Sequence, residues 1–314
     1  MRSVNAVALA LLLASPGVSH AQETYPLVVQ NCGMEVIFEA PPERVVAIKS
    51  TSAELLLALG LEDRMIGLAF LDAPVPTRWE EAASAIPVIS EKLPSQEVVL
   101  ELEPDFIYGG WESNFSADGA GERQTLATLG IDSYVSPAAC RSQTPEKLTF
   151  GALFSQIEEI GVIFGVSEAA ARLTNQLRTE LDFIELDERG LTALWYSSGT
   201  KTPYVGAGNG APQMILETVG LENIFDGTDE SWISASWETV VDADPDVIVL
   251  VDSEWNSAEQ KRRLLAENPV TSQLSAVANQ RYLLVPFPAS EAGVRNVGAA
   301  ADMAQQLEQL TFEQ

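Results

Sequence analysis

The residue types that most hydrolytic and metal sites recruit are nearly absent. Histidine occurs once, at His20. The chain beyond it has no imidazole, which removes Ser-His and Cys-His nucleophile pairs and histidine-ligated metal sites. Carboxylates are plentiful: 45 Asp and Glu stand against 18 Lys and Arg, a formal net charge of −27. Two carboxylates about 5 to 9.5 Å apart across a cleft can hydrolyse a glycosidic bond, but no spacing here singles out a pair. A secreted carboxylate-dependent hydrolase is thus the alternative function, not the leading one. Neither a catalytic residue, a metal site nor a cofactor is expected.

Chemistry of a different kind sits at the ends of short apolar runs. Residues 44–48 (RVVAI), 65–69, 105–109 (DFIYG) and 131–135 (IDSYV) carry strand signals, and helical spacing separates them. The same alternation resumes at Leu191 (LTALWY), Asp246 (DVIVLV) and Arg281 (RYLLV). Strand, helix, strand at this spacing means parallel crossovers, and ligands in such sheets bind beyond the carboxyl ends of the strands. Those ends read Lys49-Ser50-Thr51, Phe70-Leu71-Asp72, Gly110-Trp111-Glu112, Tyr196-Ser197-Ser198, Ser253-Glu254-Trp255 and Phe287. Aromatic walls with a few small polar groups suit a flat, partly apolar ligand.

The expected ligand-binding set is Lys49, Ser50, Phe70, Trp111, Tyr196, Trp232, Trp255, Phe287 and Arg295, with Trp232 at the cleft mouth. Lys49 either meets an anionic ligand group or pairs with Glu54. Arg295, at the start of the last helix, is a second cation of this kind. The cluster Tyr204-Val205-Gly206-Ala207-Gly208-Asn209-Gly210 lacks the spacing of a phosphate loop. It is expected to bring backbone close to the ligand or to the other half of the chain.

Residues 145–187 hold no strand signal and carry apolar residues at helical spacing, broken only near Gly165, with Ser167 as the expected N-cap of the second part. The halves on either side echo one another. Ser95-x-Glu97-x-Val99 precedes Pro104-Asp105-x-Ile107, and Ser236-x-Glu238-x-Val240 precedes Pro245-Asp246-x-Ile248 at the same spacing. Leu59-Gly60-Leu61-Glu62 is matched by Val219-Gly220-Leu221-Glu222.

Arg2, the apolar run from Val4 to Ala14, the breakers Ser15 to Gly17 and the small-x-small Ser19-His20-Ala21 form the pattern of a secretory signal peptide, residues 1–21. The run falls short of the about 20 apolar residues that span a bilayer. No cysteine follows Ala21 to carry a lipid. In an oxidising compartment the two cysteines, Cys32 and Cys140, have one possible pairing; the alternative is two buried thiols. The acidic balance repels nucleic acid and anionic lipid, so neither is expected as a partner.

Together these segments resemble the ABC-importer substrate-binding proteins for iron-siderophores, haem and cobalamin. The resemblance rests on Pro42-x-Arg44-Val45-Val46, on the two Glu-x-Val…Pro-Asp-x-Ile segments and on the mid-chain helical block. It implies two α/β lobes with mainly parallel sheets joined by a long rigid α-helix, with a ligand cleft between the lobes. The lobes are expected at 22–144 and 190–314, the bridging helices at 145–189. It also implies a periplasmic monomer that binds a bulky small molecule and delivers it to the transmembrane subunits of an ABC permease. Glu97 and Glu238 match the family's surface glutamates that pair with permease arginines. Asn31-Cys32-Gly33, Ile48-Lys49-Ser50-Thr51, Gly110-Trp111-Glu112-Ser113, Phe115 to Arg123 and Ser136-Pro137-Ala138-Ala139-Cys140 are similar to a subgroup assigned to precursors of the deazaflavin coenzyme F420.

Overall fold

A computed structural model describes residues 23–143 and 146–312; the expected export segment, 1–21, lies outside them. The first lobe opens with a hairpin, β1 (Leu27–Asn31) and β2 (Met34–Phe38). Next come β3 (Val45–Ile48), α1 (Ser50–Ala58), β4 (Met65–Ala69), α2 (Thr77–Ser84), β5 (Val88–Ser90), α3 (Gln96–Leu100), β6 (Phe106–Gly109), α4 (Arg123–Thr128) and β7 (Asp132–Val135). Strands β3 to β7 form a parallel sheet of order β5-β4-β3-β6-β7. Its central strands are buried on both faces, which is why they read as unbroken apolar runs.

Two helices, α5 (Phe150–Ile163) and α6 (Ser167–Asp182), lead to the second lobe. That lobe contains β8 (Thr192–Ser198), β9 (Tyr204–Gly206), α7 (Ala211–Val219), β10 (Glu222–Asn223), β11 (Trp232–Ser234), α8 (Trp237–Ala243), β12 (Val247–Asp252), α9 (Ala258–Glu267), α10 (Ser275–Ala278), β13 (Tyr282–Pro286) and α11 (Asn296–Glu308). The sheet order is β11-β9-β8-β12-β13, with β10 beside β8. Strands β8, β10, β12 and β13 are parallel; β9 and β11 join antiparallel at the edge. Among the described residues no helix is long and apolar enough to cross a membrane.

The echoed segments do the same work in each lobe. Ser95 Oγ caps α3 by accepting the Val98 N–H (3.4 Å), and Ser236 Oγ caps α8 by accepting that of Thr239 (3.1 Å). The aspartate after each proline clamps the entry of the neighbouring central strand. Asp105 accepts the backbone N–H groups of Glu43 and Arg44, both at 2.9 Å, just before β3. Asp246 accepts the N–H and hydroxyl of Thr192, both at 2.9 Å, where β8 starts. Gly60 and Gly220 take positive φ (73° and 82°) after α1 and α7, and each helix closes with the same six-residue turn, Leu61 N–H to Leu56 O and Leu221 N–H to Leu216 O.

The mid-chain block differs in one respect from a continuous bridge. At Phe164–Val166 the chain reverses, and α6 runs back along α5. A Cβ on Gly161 would lie 2.4 Å from that of Ala170, so glycine is what allows the two helices to touch near the turn. Farther along, the Arg178 guanidinium lies 4.7 Å from the Phe154 ring centre. Ser167 is not the N-cap but the first helical residue; Val166 holds the cap position and the Ser167 hydroxyl bonds the Glu23 carboxylate. The start of α5 meets the second lobe, where Leu148 N–H donates to Asn209 O (3.1 Å). Its end meets the first, where the Tyr25 hydroxyl donates to the carbonyls of Val162 and Ile163, both at 3.0 Å.

One apolar core runs through both lobes. Val45 and Ala47 of β3, Ile157 and Ile160 of α5, Leu177 of α6, Ile215 of α7, Val249 of β12 and Met303 of α11 belong to the same buried cluster. Alternate residues such as Val46 and Ile48, or Leu194 and Leu250, face a separate core on the far side of each sheet.

The expected disulfide is present. Cys32, in the β1–β2 turn, bonds Cys140 beyond β7, with a Cα–Cα separation of 5.3 Å and a sequence separation of 108. The bond works with a polar clamp: the Asn31 side chain exchanges two 2.8 Å hydrogen bonds with the Val135 backbone, and buried Arg123 donates to Asn31 O and to Ser133.

Two outcomes are expected. Thiol titration of the denatured, unreduced protein finds no free thiol, and replacing both cysteines by serine lowers unfolding free energy by up to about 4–5 kcal/mol, the chain-entropy limit for so long a loop; two reactive thiols would contradict the pairing. Spin labels on the two lobes should change separation by only a few ångströms on ligand addition, because the shared core and the α5–α6 pair oppose a wide hinge.

Candidate ligand-binding cleft

The two sheets turn their carboxyl ends toward a common cleft of about 660 Å³. On the first-lobe side it is lined by Thr51, Gly110, Trp111 and the Ser136–Arg141 segment; on the second by Ser197, Tyr204, Gly210, Trp232, Phe287 and Glu291. The size suits an ordinary small-molecule site.

Of the expected residues, Trp111, Trp232 and Phe287 line the cleft. Lys49, Ser50 and Phe70 stand behind Trp111 and support it. The Lys49 ammonium lies 3.7 Å from the Trp111 ring centre and 4.3 Å from that of Phe70, which meets Trp111 edge-on. Its ionic partner is Asp72, not Glu54, and Ser50 Oγ accepts the Asp72 N–H at 2.9 Å. Burial lowers the Lys49 pKa, and Asp72 works against that shift. Lys49 and Phe70 both hold positive φ (86° and 51°) directly after β3 and β4, a strained backbone that turns each side chain into the support. Gly110 makes room, since a Cβ there would lie 2.7 Å from that of Lys49.

Arg295 has a structural partner as well. Its Nε donates to Glu54 Oε2 at 2.6 Å and its Nη2 to Oε1, a two-pronged pair joining α11 of one lobe to α1 of the other. Burial raises the Glu54 pKa and the guanidinium pulls it back. Trp255 is 63% exposed and meets Phe287 edge-on, ring centres 5.6 Å apart. Tyr196 is not brought to the cleft. Strand alternation puts it on the far face of β8, where it packs on Trp237 and donates its hydroxyl to Gly199 O (2.8 Å); its neighbour Ser197 takes the cleft position. Glu97 and Glu238 are exposed in the first turns of α3 and α8.

Tyr204, Arg141 and Glu291 also line the cleft and are not in the expected binding set. Tyr204 stacks on Trp232, ring centres 5.7 Å apart and planes 13° apart, because β9 and β11 pair with the two rings on neighbouring positions. The result is a flat aromatic platform on the second-lobe wall. Burial, followed by the charge of Glu291, raises the Tyr204 pKa; Arg141 lowers it. Arg141 and Ala138 to Cys140 follow β7, so the strand-end rule applied to that strand points to them. Glu291 lies one turn beyond Phe287. The Trp111 indole N–H donates to its Oε2 across the cleft at 3.2 Å. Burial raises the Glu291 pKa to about 7; the indole bond and Lys49 oppose the shift and Asp72 adds to it. In the glycine segment Asn209 and Gly210 line the cleft, while Gly208 packs so closely on the carbonyls of Asp226 and Thr228, within its own lobe, that no side chain fits.

The sequence profile of the periplasmic binding protein family matches residues 45–289. An ABC transporter substrate-binding lipoprotein of Bacillus subtilis, YvrC, is 22% identical over 306 residues, covering 93% of this chain and 88% of its own. A vitamin B12-binding protein of Yersinia pestis is 28% identical over 211 residues, 66% of this chain and 69% of its own. Among solved structures, an ABC-type Fe3+-hydroxamate transport protein of Saccharomonospora viridis superposes with a TM-score of 0.79 at 26% identity, covering 90% of this chain and 99% of that one.

The pair between the lobes gives a direct test. Arg295→Ala leaves Glu54 buried without its partner and should cost about 3–5 kcal/mol in denaturant unfolding. Replacing both residues by methionine should cost distinctly less. Equal losses would mean that the pair matters only through packing.

Proposed function

The chain belongs to the periplasmic binding protein family, and from that premise we propose that it is the solute-binding component of an ABC import system. It binds a bulky small molecule in the cleft between its lobes and delivers it to the transmembrane subunits of the permease. The observation that carries the reading is the cleft itself: two sheets face one another with their carboxyl ends, and Trp111, Phe287 and the Tyr204–Trp232 platform supply rigid aromatic surface there. A flat, partly apolar cargo fits such walls, whether an iron complex, a corrinoid or a deazaflavin-like cofactor precursor. Relatives named for vitamin B12 and for Fe3+-hydroxamate transport point to the first two classes. The third draws on Asn31-Cys32-Gly33, Lys49-Ser50-Thr51, Gly110-Trp111 and Ser136 to Cys140, segments that build the first-lobe wall and its supports.

The protein acts as a periplasmic monomer after export on residues 1–21, and it binds without turning over its ligand. Residues 22–144 and 190–314 form the lobes, with 145–189 connecting them. Glu97 and Glu238 dock on the permease: they occupy the same position of the repeated Ser-capped helix in each lobe and face solvent, where charge steers encounter. The hydrolase alternative draws no support from any of these relatives.

Mixing the processed protein with cyanocobalamin, haem, a ferric hydroxamate and a deazaflavin chromophore should leave one of them bound at unit stoichiometry, unchanged, by native mass spectrometry and absorption. Trp111→Ala should weaken that binding by at least about tenfold, the loss of a buried aromatic anchor. Glu97→Ala with Glu238→Ala should preserve affinity and abolish uptake. Chemical conversion of the ligand, or loss of affinity in the double glutamate variant, would overturn the assignment.

A further inference from the structure

Glu291 is a carboxylate with work left undone. It stands on the turn after β13, where the lobes meet at the cleft. Its Oε2 is engaged by the Trp111 indole N–H of the opposite lobe, and no hydrogen bond reaches Oε1 among the described residues. The cations near it are committed elsewhere. Lys49 is ion-paired to Asp72 and capped by the Trp111 and Phe70 rings, and Arg295 is held by Glu54 in two-pronged fashion. Asp72 adds negative charge on the first-lobe side, and Tyr204 faces Glu291 from the second without donating to it. A half-buried carboxylate oxygen in such a place is short of hydrogen-bond donors and of positive charge.

We propose that Glu291 is the recognition carboxylate of the cleft: its open oxygen takes a cationic, N–H-bearing group of the ligand, while its other oxygen holds Trp111 and so ties both lobes to the bound molecule. This rests on reading the cleft as the ligand site. The surfaces beside the carboxylate are aromatic, Trp111 on one wall and Phe287 on the other, so the matching ligand portion is a planar ring that bears the cationic group. The same surroundings govern protonation. Lys49 favours the ionised carboxylate; burial and Asp72 oppose it and prevail, which sets its pKa at about 7. Protonated Glu291 offers a cation nothing to pair with. Affinity for a cationic ring must therefore rise with pH through neutrality.

Benzamidine and benzoate, equal in ring and opposite in charge, make the test with the processed wild-type protein, binding being read by ligand-detected NMR. Benzamidine should bind, and from pH 6 to pH 8 its affinity should rise by roughly tenfold, the change in the ionised fraction of a group titrating near 7. Glu291→Gln keeps an acceptor for the indole and should lose most of the affinity at pH 8 with a flat pH profile; Glu291→Asp should retain the pH dependence. Circular dichroism confirms that each variant is folded. Benzoate binding as tightly as benzamidine, no benzamidine binding at all, or a glutamine variant that binds like wild type would overturn the inference. A protein that retains a cargo yet shows any of these outcomes keeps its proposed function and loses only this role for Glu291.

Discussion

Apolar burial fixes the two lobes to each other before any ligand arrives. Each sheet gives one set of alternate side chains to its own outer core and the other set to a core that both lobes share, with α5 and α6 inside it. Side chains there are close-packed, so rotating one lobe far from the other would open voids whose cost grows with their volume. The α5–α6 pair adds stiffness of a second kind. Its ends are bonded to different lobes, and the Gly161–Ala170 contact leaves little room for the helices to slide. A cleft held open by such a frame is largely preformed, and loss of side-chain freedom on binding is correspondingly small.

Polar contacts then decide the detail at the line where the lobes meet. The Arg295–Glu54 pair, the Trp111–Glu291 hydrogen bond and the Lys49 ammonium over the Trp111 ring all lie there. The last two belong to one chain of contacts that runs from Asp72 to Glu291. Asp72 offsets the desolvation of Lys49, Lys49 fixes the indole plane by a cation–π contact that reaches about 2 kcal/mol when desolvated, and the indole edge reaches Glu291. The strained turns at Lys49 and Phe70 persist because this packing over-determines them.

Much of the frame is legible in the sequence because its causes are local. Buried parallel strands show as apolar runs, Ser95 and Ser236 announce helix starts, and Gly60 and Gly220 announce helix ends. The repeated Pro-Asp is equally local: Asp105 and Asp246 each clamp the strand beside them. Trp111 and Phe287 are found by the same logic, as residues just beyond the carboxyl end of a strand. That rule fails for Tyr196, one residue short of the cleft face, and stops too early to find Glu291. The partners of Lys49 and Arg295 are illegible for another reason. Glu54 lies nearest to Lys49 in sequence, but 241 residues separate it from the arginine that claims it. Reversal of the helical block at Gly165 is similar: helical spacing reports which face is apolar, not what covers it.

The allocation of cations has a consequence for recognition. In a chain with 18 basic residues against 45 acidic ones, Lys49 and Arg295 sit at strand and helix ends beside the cleft, yet both are neutralised by buried carboxylates. Their charge holds the lobes in register and supports an aromatic wall; little of it is left for a ligand anion, since each pair is already compensated at short range. Arg141, exposed at the rim, lies close enough to lower the Tyr204 pKa. What the cleft offers is therefore shape and aromatic surface at Trp111, Phe287 and the Tyr204–Trp232 platform, with Glu291 at the meeting line. An anionic part of a ligand would have to lie outward near Arg141, while its ring and any donor groups lie inward. That polarity of binding is set by which charges are already paired, not by how many the chain carries.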